Sequence, residues 1–293
     1  MPSCRCQRQT PPARDVWSQQ GCRDLVGRRG RRYGNVAAMT DQVPDASRRR
    51  TKEWALAAVR PFLPSTAAGV QTDHRSGVDK PSWRGRQHAL AFVAAIPASI
   101  VAVAVAPPGR RWPMVVYTST LVATLGTSAA YHTLATTPRA QLAMSRADRA
   151  TVYTLIAGTT TPALMYTTPK RQATAVLAAT WAGAALGAAA RATGKANKVA
   201  TLGYVALGWA GTLTGVRAWK TSPAATVLLA SGGIAYTAGA VIYAAKKPVL
   251  RPATYGYHEA FHTLTLAGFV THYIGVLMLA TKVRRLGVVA GTS

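Results

Sequence analysis

The sequence predicts an all-α integral membrane protein, a bundle of seven transmembrane helices preceded by a polar N-terminal tail. Two observations indicate this fold class. From residue 87 onward the chain alternates between long apolar runs and short basic segments. Each run is close to the ~20 residues that a helix needs to cross a bilayer. The seven runs cover approximately residues 87–106, 112–134, 149–168, 172–190, 199–219, 224–245 and 258–281.

The charge distribution excludes a nucleic-acid-binding protein, although the composition at first suggests one. The 293 residues include 35 Lys and Arg against 9 Asp and Glu, a net charge of +26. However, seven of the nine acidic residues lie before residue 80, which leaves only Asp148 and Glu259 in the rest of the chain. The basic residues beyond that point form short clusters between uncharged runs. Charges confined to connecting segments are typical of a polytopic membrane protein.

The N-terminal tail, residues 1–79, has no sustained apolar periodicity and is rich in Arg. We expect it to be disordered, with a short amphipathic helix around "EWALAAVRPFL". The tail contains all three cysteines, in a spacing typical of neither a metal site nor a disulfide framework. Met39 is an alternative start of translation. Residues 80–293 form the predicted membrane domain, and basic residues flanking the first run favour a cytoplasmic N-terminus in the cell membrane.

The composition of the later runs favours close helix packing. The fourth run contains "WAGAALGAAA" and the sixth contains "LASGGIAYTAGA". Small residues let membrane helices approach each other closely, so their association rests on van der Waals packing.

Seven spans bring rare ionisable side chains to the same membrane face. His132 ends the second run, Asp148 precedes the third, and His258 and His262 begin the seventh. With alternating helix directions, these three positions lie on one side whichever way the protein is inserted. The topology therefore predicts that they meet.

The histidine spacing predicts a metal site there. His258 and His262 are four residues apart and so lie on one helix face. Ser128 and His132 have the same spacing. Three neutral imidazoles with one open position are the ligand set of a catalytic zinc site. His272 is ten residues beyond His262, about 15 Å along the helix, and is expected to be a buried hydrogen-bonding residue.

The other histidines and the acidic groups have simpler interpretations. His74 and His88 are expected to be ordinary polar or interfacial residues. Asp148 could cap the third helix and pair with Arg146 or Arg149. A single histidine at the end of a membrane helix is also more often interfacial than a ligand.

"HEAFH" at residues 258–262 matches the H-E-x-x-H signature of zinc proteases, in which the glutamate is the general base. A further ligand downstream is missing from its expected place. Glu259 also lies about 100° around the helix from His258, so it is expected to face another helix or water.

Several motifs resemble the hemolysin III family, the bacterial branch of the progestin and adiponectin receptor (PAQR) superfamily. These are "KPSWRGRQHALA" before the first run, "TSAAYHTL" ending the second, "DRATVYTLIAGTTTPALM" in the third, "LGYVALGWAG" in the fifth and "YGYHEAFHTLTLAGFVTHYIGVL" in the seventh. The sequence departs from the family pattern at Arg149, where histidine is usual, and at Thr160, where an aromatic residue is common.

The resemblance implies a seven-helix bundle with a cytoplasmic N-terminus and a zinc site near the cytoplasmic side. The ligands would be His132, His258 and His262, while Asp148 and Ser128 would hold or activate a water molecule. The superfamily is grouped with alkaline ceramidases as metal-dependent hydrolases of lipid amides, so the expected partners are membrane lipids, including a ceramide-like substrate. Some bacterial members are associated with cytolytic activity.

Two function classes follow from these expectations. In the first, zinc lowers the pKa of water, Asp148 accepts its proton, and Ser128 donates a hydrogen bond to the water or the oxyanion. In the second, the zinc is structural and clamps the second and seventh runs in a cytolysin or a sensor or receptor of membrane state. A structural site should have four protein ligands, so three histidines favour the first class.

Overall fold

The structure, a computed structural model, describes residues 81–194, 198–211, 215–251 and 253–290. The predicted disordered tail, its amphipathic helix and all three cysteines lie outside these residues. The described chain is helical, with one isolated antiparallel bridge between Arg251 and Tyr255. Its helices are α1 (Arg86–Val105), α2 (Trp112–Leu134), α3 (Pro138–Thr167), α4 (Lys170–Ala192), α5 (Lys198–Ala210), α6 (Gly215–Thr221), α7 (Pro223–Ala245) and α8 (Tyr257–Ala290).

The all-helical prediction is confirmed, while the number of spans stays a prediction. Four helices, α1, α4, α7 and α8, are long and apolar enough to cross a membrane. The fifth predicted run corresponds to two helices, α5 and α6, with residues 212–214 between them outside the described chain. Large apolar side chains point outward, and Ile100 and Leu186 are 68% and 75% exposed. Such a surface suits hydrocarbon better than water.

Two helices begin at capping signals that can be read from the sequence. The Thr137 side chain accepts a hydrogen bond from the Ala140 backbone N–H at the start of α3, 3.2 Å away. The Ser222 side chain accepts one from Ala225 in the same way at the start of α7. Each cap is followed by a proline at the first helical position, where a missing N–H costs nothing.

Helices α7 and α8 make the most extensive contact in the bundle, and glycines make it possible. A Cβ on Gly232 would lie 2.2 Å from the His272 ring, and one on Gly268 would lie 2.4 Å from the Tyr236 ring. Because such distances exclude any side chain, each glycine holds the space that an aromatic ring of the other helix fills. The predicted role of small residues in close helix packing is confirmed at this interface.

Helix α2 carries the buried face that leads to the candidate site. Its buried residues recur at helical spacing from Met114 through Leu121 and Leu125 to Ser128 and His132. The first three belong to the main apolar cluster, to which α1, α3, α7 and α8 also contribute. The packing of this face therefore carries Ser128 and His132, 2% and 4% exposed, into the interior at the C-terminal end of α2.

Candidate metal centre

Three histidines from two helices converge at one end of the bundle. His132 ends α2, and His258 and His262 lie in the first two turns of α8. One ligand nitrogen from each lies within 4.8 Å of the other two. The ring centroids are 4.9 Å apart for His132 and His258, 5.0 Å for His132 and His262, and 4.7 Å for His258 and His262. The predicted meeting of the second and seventh runs is therefore confirmed.

The start of α8 is held in place by Glu259, which is fully buried. Its carboxylate accepts a hydrogen bond from the Gly256 backbone N–H, 2.9 Å away, and forms an ion pair with Arg84 just before α1. A glutamate at the third helical position that reaches back to the N-cap N–H is half of a capping box. Glu259 thus satisfies the helix end and ties α8 to the segment just before α1. It was predicted to face another helix or water, and its burial excludes water.

Backbone hydrogen bonds reinforce this tie. The Ser82 N–H donates to the Ala253 carbonyl over 3.0 Å, and the Trp83 N–H donates to the Thr254 carbonyl over 3.3 Å. The segment that precedes α1 therefore runs beside the segment that precedes α8. This arrangement brings the starts of the first and last described helices to the same end of the bundle.

The histidine cluster fits a transition-metal ion. The His262 Nε2 atom is buried and has no hydrogen-bond partner among the described residues. A buried nitrogen in that position costs free energy unless something binds it. Three imidazoles are a donor set that suits zinc, copper, iron or nickel. The cluster can therefore hold a metal ion, and among the described residues no fourth His, Cys, Asp or Glu belongs to it.

His88 on α1 also belongs to this centre, contrary to the prediction that it is an ordinary polar or interfacial residue. Its side chain is 5% exposed. Its Nε2 lies 2.9 Å from His262 Nδ1, and its Nδ1 lies 2.7 Å from Ser128 Oγ. His88 is the third residue of α1, at the start of the first apolar run, where a polar residue is usually interfacial. Nothing in the sequence indicated which helix it faces.

Asp148 lies well inside α3, which begins at the Thr137 N-cap, so the interpretation of Asp148 as the cap of the third helix is wrong. Its carboxylate approaches the centre beside Ser128. The Asp148 carboxylate lies close to the Ser128 hydroxyl and to Arg149, and both interact with it. Ser128 is therefore shared between His88 on α1 and Asp148 on α3. The catalytic roles expected of Asp148 and Ser128 stay predictions.

Aromatic side chains surround the outer side of His258. The ring of Tyr243, near the end of α7, lies 5.3 Å from the His258 ring and 5.1 Å from that of Phe261. Tyr243 is 41% exposed, so this is the side on which the cluster approaches the bundle surface. By contrast, His88 and Ser128 are buried.

His272 lies away from the cluster, as its spacing predicts. Its Nε2–H donates to the Leu229 carbonyl of α7 over 2.9 Å, and its ring packs edge-on against Tyr236. The predicted hydrogen-bonding role of this histidine is confirmed.

The sequence matches a family model described as haemolysin-III related over residues 77–273. The match includes His132, His258 and His262, together with Ser128 and Asp148. It confirms the resemblance found in the sequence motifs.

Proposed function

The chain belongs to the haemolysin-III related family, and on that premise we propose that it is a zinc-dependent hydrolase of lipid amides. The supporting observation is the composition of the histidine cluster. It contains three imidazoles and, within the described chain, no fourth ligand residue. Structural zinc sites have four protein ligands, whereas catalytic sites keep one position for water or substrate. Three ligands therefore favour chemistry over a purely structural metal.

His132, His258 and His262 would hold the ion as neutral imidazoles. Zinc in such a site supplies Lewis acidity, which polarises a carbonyl group and lowers the pKa of water toward about 7. The chain's own residues have to supply the proton transfers and the orientation of the substrate.

Asp148 is the proposed general base. Its carboxylate accepts a proton from the attacking water, whose oxygen forms a bond to the acyl carbon of the amide. The C–N bond then breaks and the proton passes from Asp148 to the leaving amine, so that a fatty acid and an amine are released. The Ser128 hydroxyl, which lies close to this carboxylate, would donate to it and fix its orientation.

The substrate would be a ceramide-like lipid that enters from the bilayer. Its acyl chain can approach along the apolar outer surface of α7 toward Tyr243, which contacts the His258 ring. The centre is at the end of the bundle where α1 begins. With the N-terminus in the cytoplasm, as we propose, the reaction takes place near the cytoplasmic side of the cell membrane.

Hydrolysis of a defined lipid amide tests this proposal. Zinc-loaded full-length protein in mixed micelles with a ceramide should release fatty acid, which mass spectrometry quantifies. Asp148→Asn should lower the turnover by about 100-fold or more, the effect of losing a general base, with unchanged zinc content. Ser231→Ala is a matched control for Ser128→Ala, because Ser231 Oγ only donates to a backbone carbonyl in α7.

Two outcomes would contradict the proposal. Full turnover in Asp148→Asn would exclude Asp148 as the general base. Leakage of liposome contents caused by the wild-type protein, without any amide product, would instead indicate the non-enzymatic alternative of a cytolysin with a structural metal.

A further inference from the structure

Four helices contribute to one chain of side-chain contacts that ends at the histidine cluster. Asp148 on α3 contacts Ser128 on α2, Ser128 contacts His88 on α1, and His88 contacts His262 on α8. His88, Ser128 and His262 are 5%, 2% and 3% exposed. Because these side chains are buried, water cannot readily replace any of them as a hydrogen-bond partner.

The direction of each hydrogen bond follows from the two ends of this series of side-chain contacts. If His262 Nε2 provides the lone pair for a metal, the ring proton must be on Nδ1. His262 Nδ1–H then donates to His88 Nε2, 2.9 Å away. His88 must in turn carry its proton on Nδ1 and donate to Ser128 Oγ over 2.7 Å. The Ser128 hydroxyl then donates to the Asp148 carboxylate, which can only accept.

Thr265 supports this assignment. Its Oγ1 lies 3.4 Å from His88 Nε2 and could in principle donate to it. However, Thr265 Oγ1 donates its proton to the His262 carbonyl, 2.8 Å away. Thr265 therefore does not compete with His262 as a donor to His88 Nε2. Both nitrogens of His88 are used in these bonds, so His88 is a partner of a ligand rather than a ligand itself.

We propose that His88 is a positioning residue of the metal centre: it holds the His262 ring in the tautomer and orientation that present Nε2 to the ion. This inference rests on the proposed metal binding. Residues that accept the second N–H of a ligand histidine typically contribute about 10–100-fold to metal affinity.

Zinc affinity of the full-length protein, measured by competition with a chromophoric chelator, tests this role. His88→Phe keeps a ring but removes both nitrogens, and should weaken zinc binding by about 10–100-fold. His88→Gln offers an amide oxygen to His262 and an N–H to Ser128, and should recover most of that loss. His272→Phe is the matched control, because it also replaces a hydrogen-bonded, partly buried histidine of the bundle and should leave zinc affinity unchanged.

A spectroscopic measurement separates positioning from general destabilisation. The visible absorption of bound Co²⁺ reports ligand geometry, so it should change in His88→Phe and stay like the wild type in His272→Phe. If His88→Phe does not fold, Ser128→Ala can be measured in its place. It removes the acceptor of His88 Nδ1–H and should weaken zinc binding by about 2–10-fold, a part of the full loss.

The outcomes separate this inference from the proposed function. A wild-type protein that binds no zinc would overturn both. A wild-type protein that binds zinc, with His88→Phe or Ser128→Ala equally tight, would overturn the role of His88 alone. Equal losses in His88→Gln and His88→Phe would also overturn it, because the hydrogen-bond polarity would then be irrelevant.

Discussion

Gly85 lies directly against His132, and a Cβ on Gly85 would be only 2.4 Å from the His132 Cβ. Gly85 also has a φ of +80°, a left-handed conformation that other residues adopt at a cost. Both constraints arise because the chain turns into α1 immediately beside the end of α2. The position of one proposed metal ligand therefore depends on a glycine 47 residues earlier in the sequence.

Substitution of Gly85 by Ala should displace His132 and weaken metal binding. The left-handed backbone alone costs about 1–2 kcal/mol for a residue with a Cβ. Gly109→Ala is the matched control, because Gly109 has a φ of +74° but nothing within 4 Å of its Cβ position. Thermal unfolding in detergent and zinc titration should show both variants destabilised, and only Gly85→Ala weakened in zinc affinity. Equal zinc affinity in the two variants would contradict the contact.

Glu259→Gln should lower stability without abolishing catalysis. Glutamine can still accept the Gly256 N–H, but it leaves the Arg84 guanidinium without its ion-pair partner. The expected loss is about 3 kcal/mol of unfolding free energy, at the low end for a buried pair because the Arg84 side chain is 16% exposed. Thermal unfolding and turnover per zinc-loaded molecule provide the two readouts.

The double variant Arg84→Gln, Glu259→Gln completes this test. Its stability loss should be smaller than the sum of the two single losses, as for residues in direct contact. The opposite pattern, unchanged stability in Glu259→Gln with turnover reduced at least 100-fold, would restore the interpretation of "HEAFH" as a protease motif with Glu259 as the base.

Gly268→Ala should destabilise the α7–α8 interface. Its Cβ would lie 2.4 Å from the Tyr236 ring, and such overpacking costs about 1–3 kcal/mol. Gly208→Ala in α5 is the control, since its Cβ position has nothing within 4 Å. There alanine should stabilise the helix by about 0.5–1 kcal/mol. Melting temperatures that move in the same direction for the two variants would contradict this account of the interface.

The local signals of helix and site were readable from the sequence because they depend on spacing and composition. The apolar runs gave the positions of α1, α2, α4 and α7 to within about two residues, and they gave the start but not the end of α8, which continues to Ala290. His258 and His262 are four residues apart, as are Ser128 and His132. This spacing placed each pair on one face of its helix. Because successive spans alternate in direction, the end of the second run and the start of the seventh were expected at the same membrane face. The structure confirms that they meet.

The remaining features depend on tertiary contacts that spacing does not encode. His88 is close to Ser128 and His262 only because α1 packs between α2 and α8 at this end. Its sequence neighbours indicate a helix terminus, where a polar residue is usually interfacial. The ion pair between Arg84 and Glu259 likewise joins residues 175 positions apart, and no local pattern predicts it.

The metal content of purified, detergent-solubilised protein tests the central claim most directly. Wild-type protein, His132→Ala and His258→Ala should be compared after reconstitution with zinc at neutral pH. We predict about one zinc per chain in the wild type, as for a single three-histidine catalytic site, and its loss in both variants, because one ion is shared between α2 and α8. Wild-type protein without zinc, or either variant with full zinc content, would contradict the account.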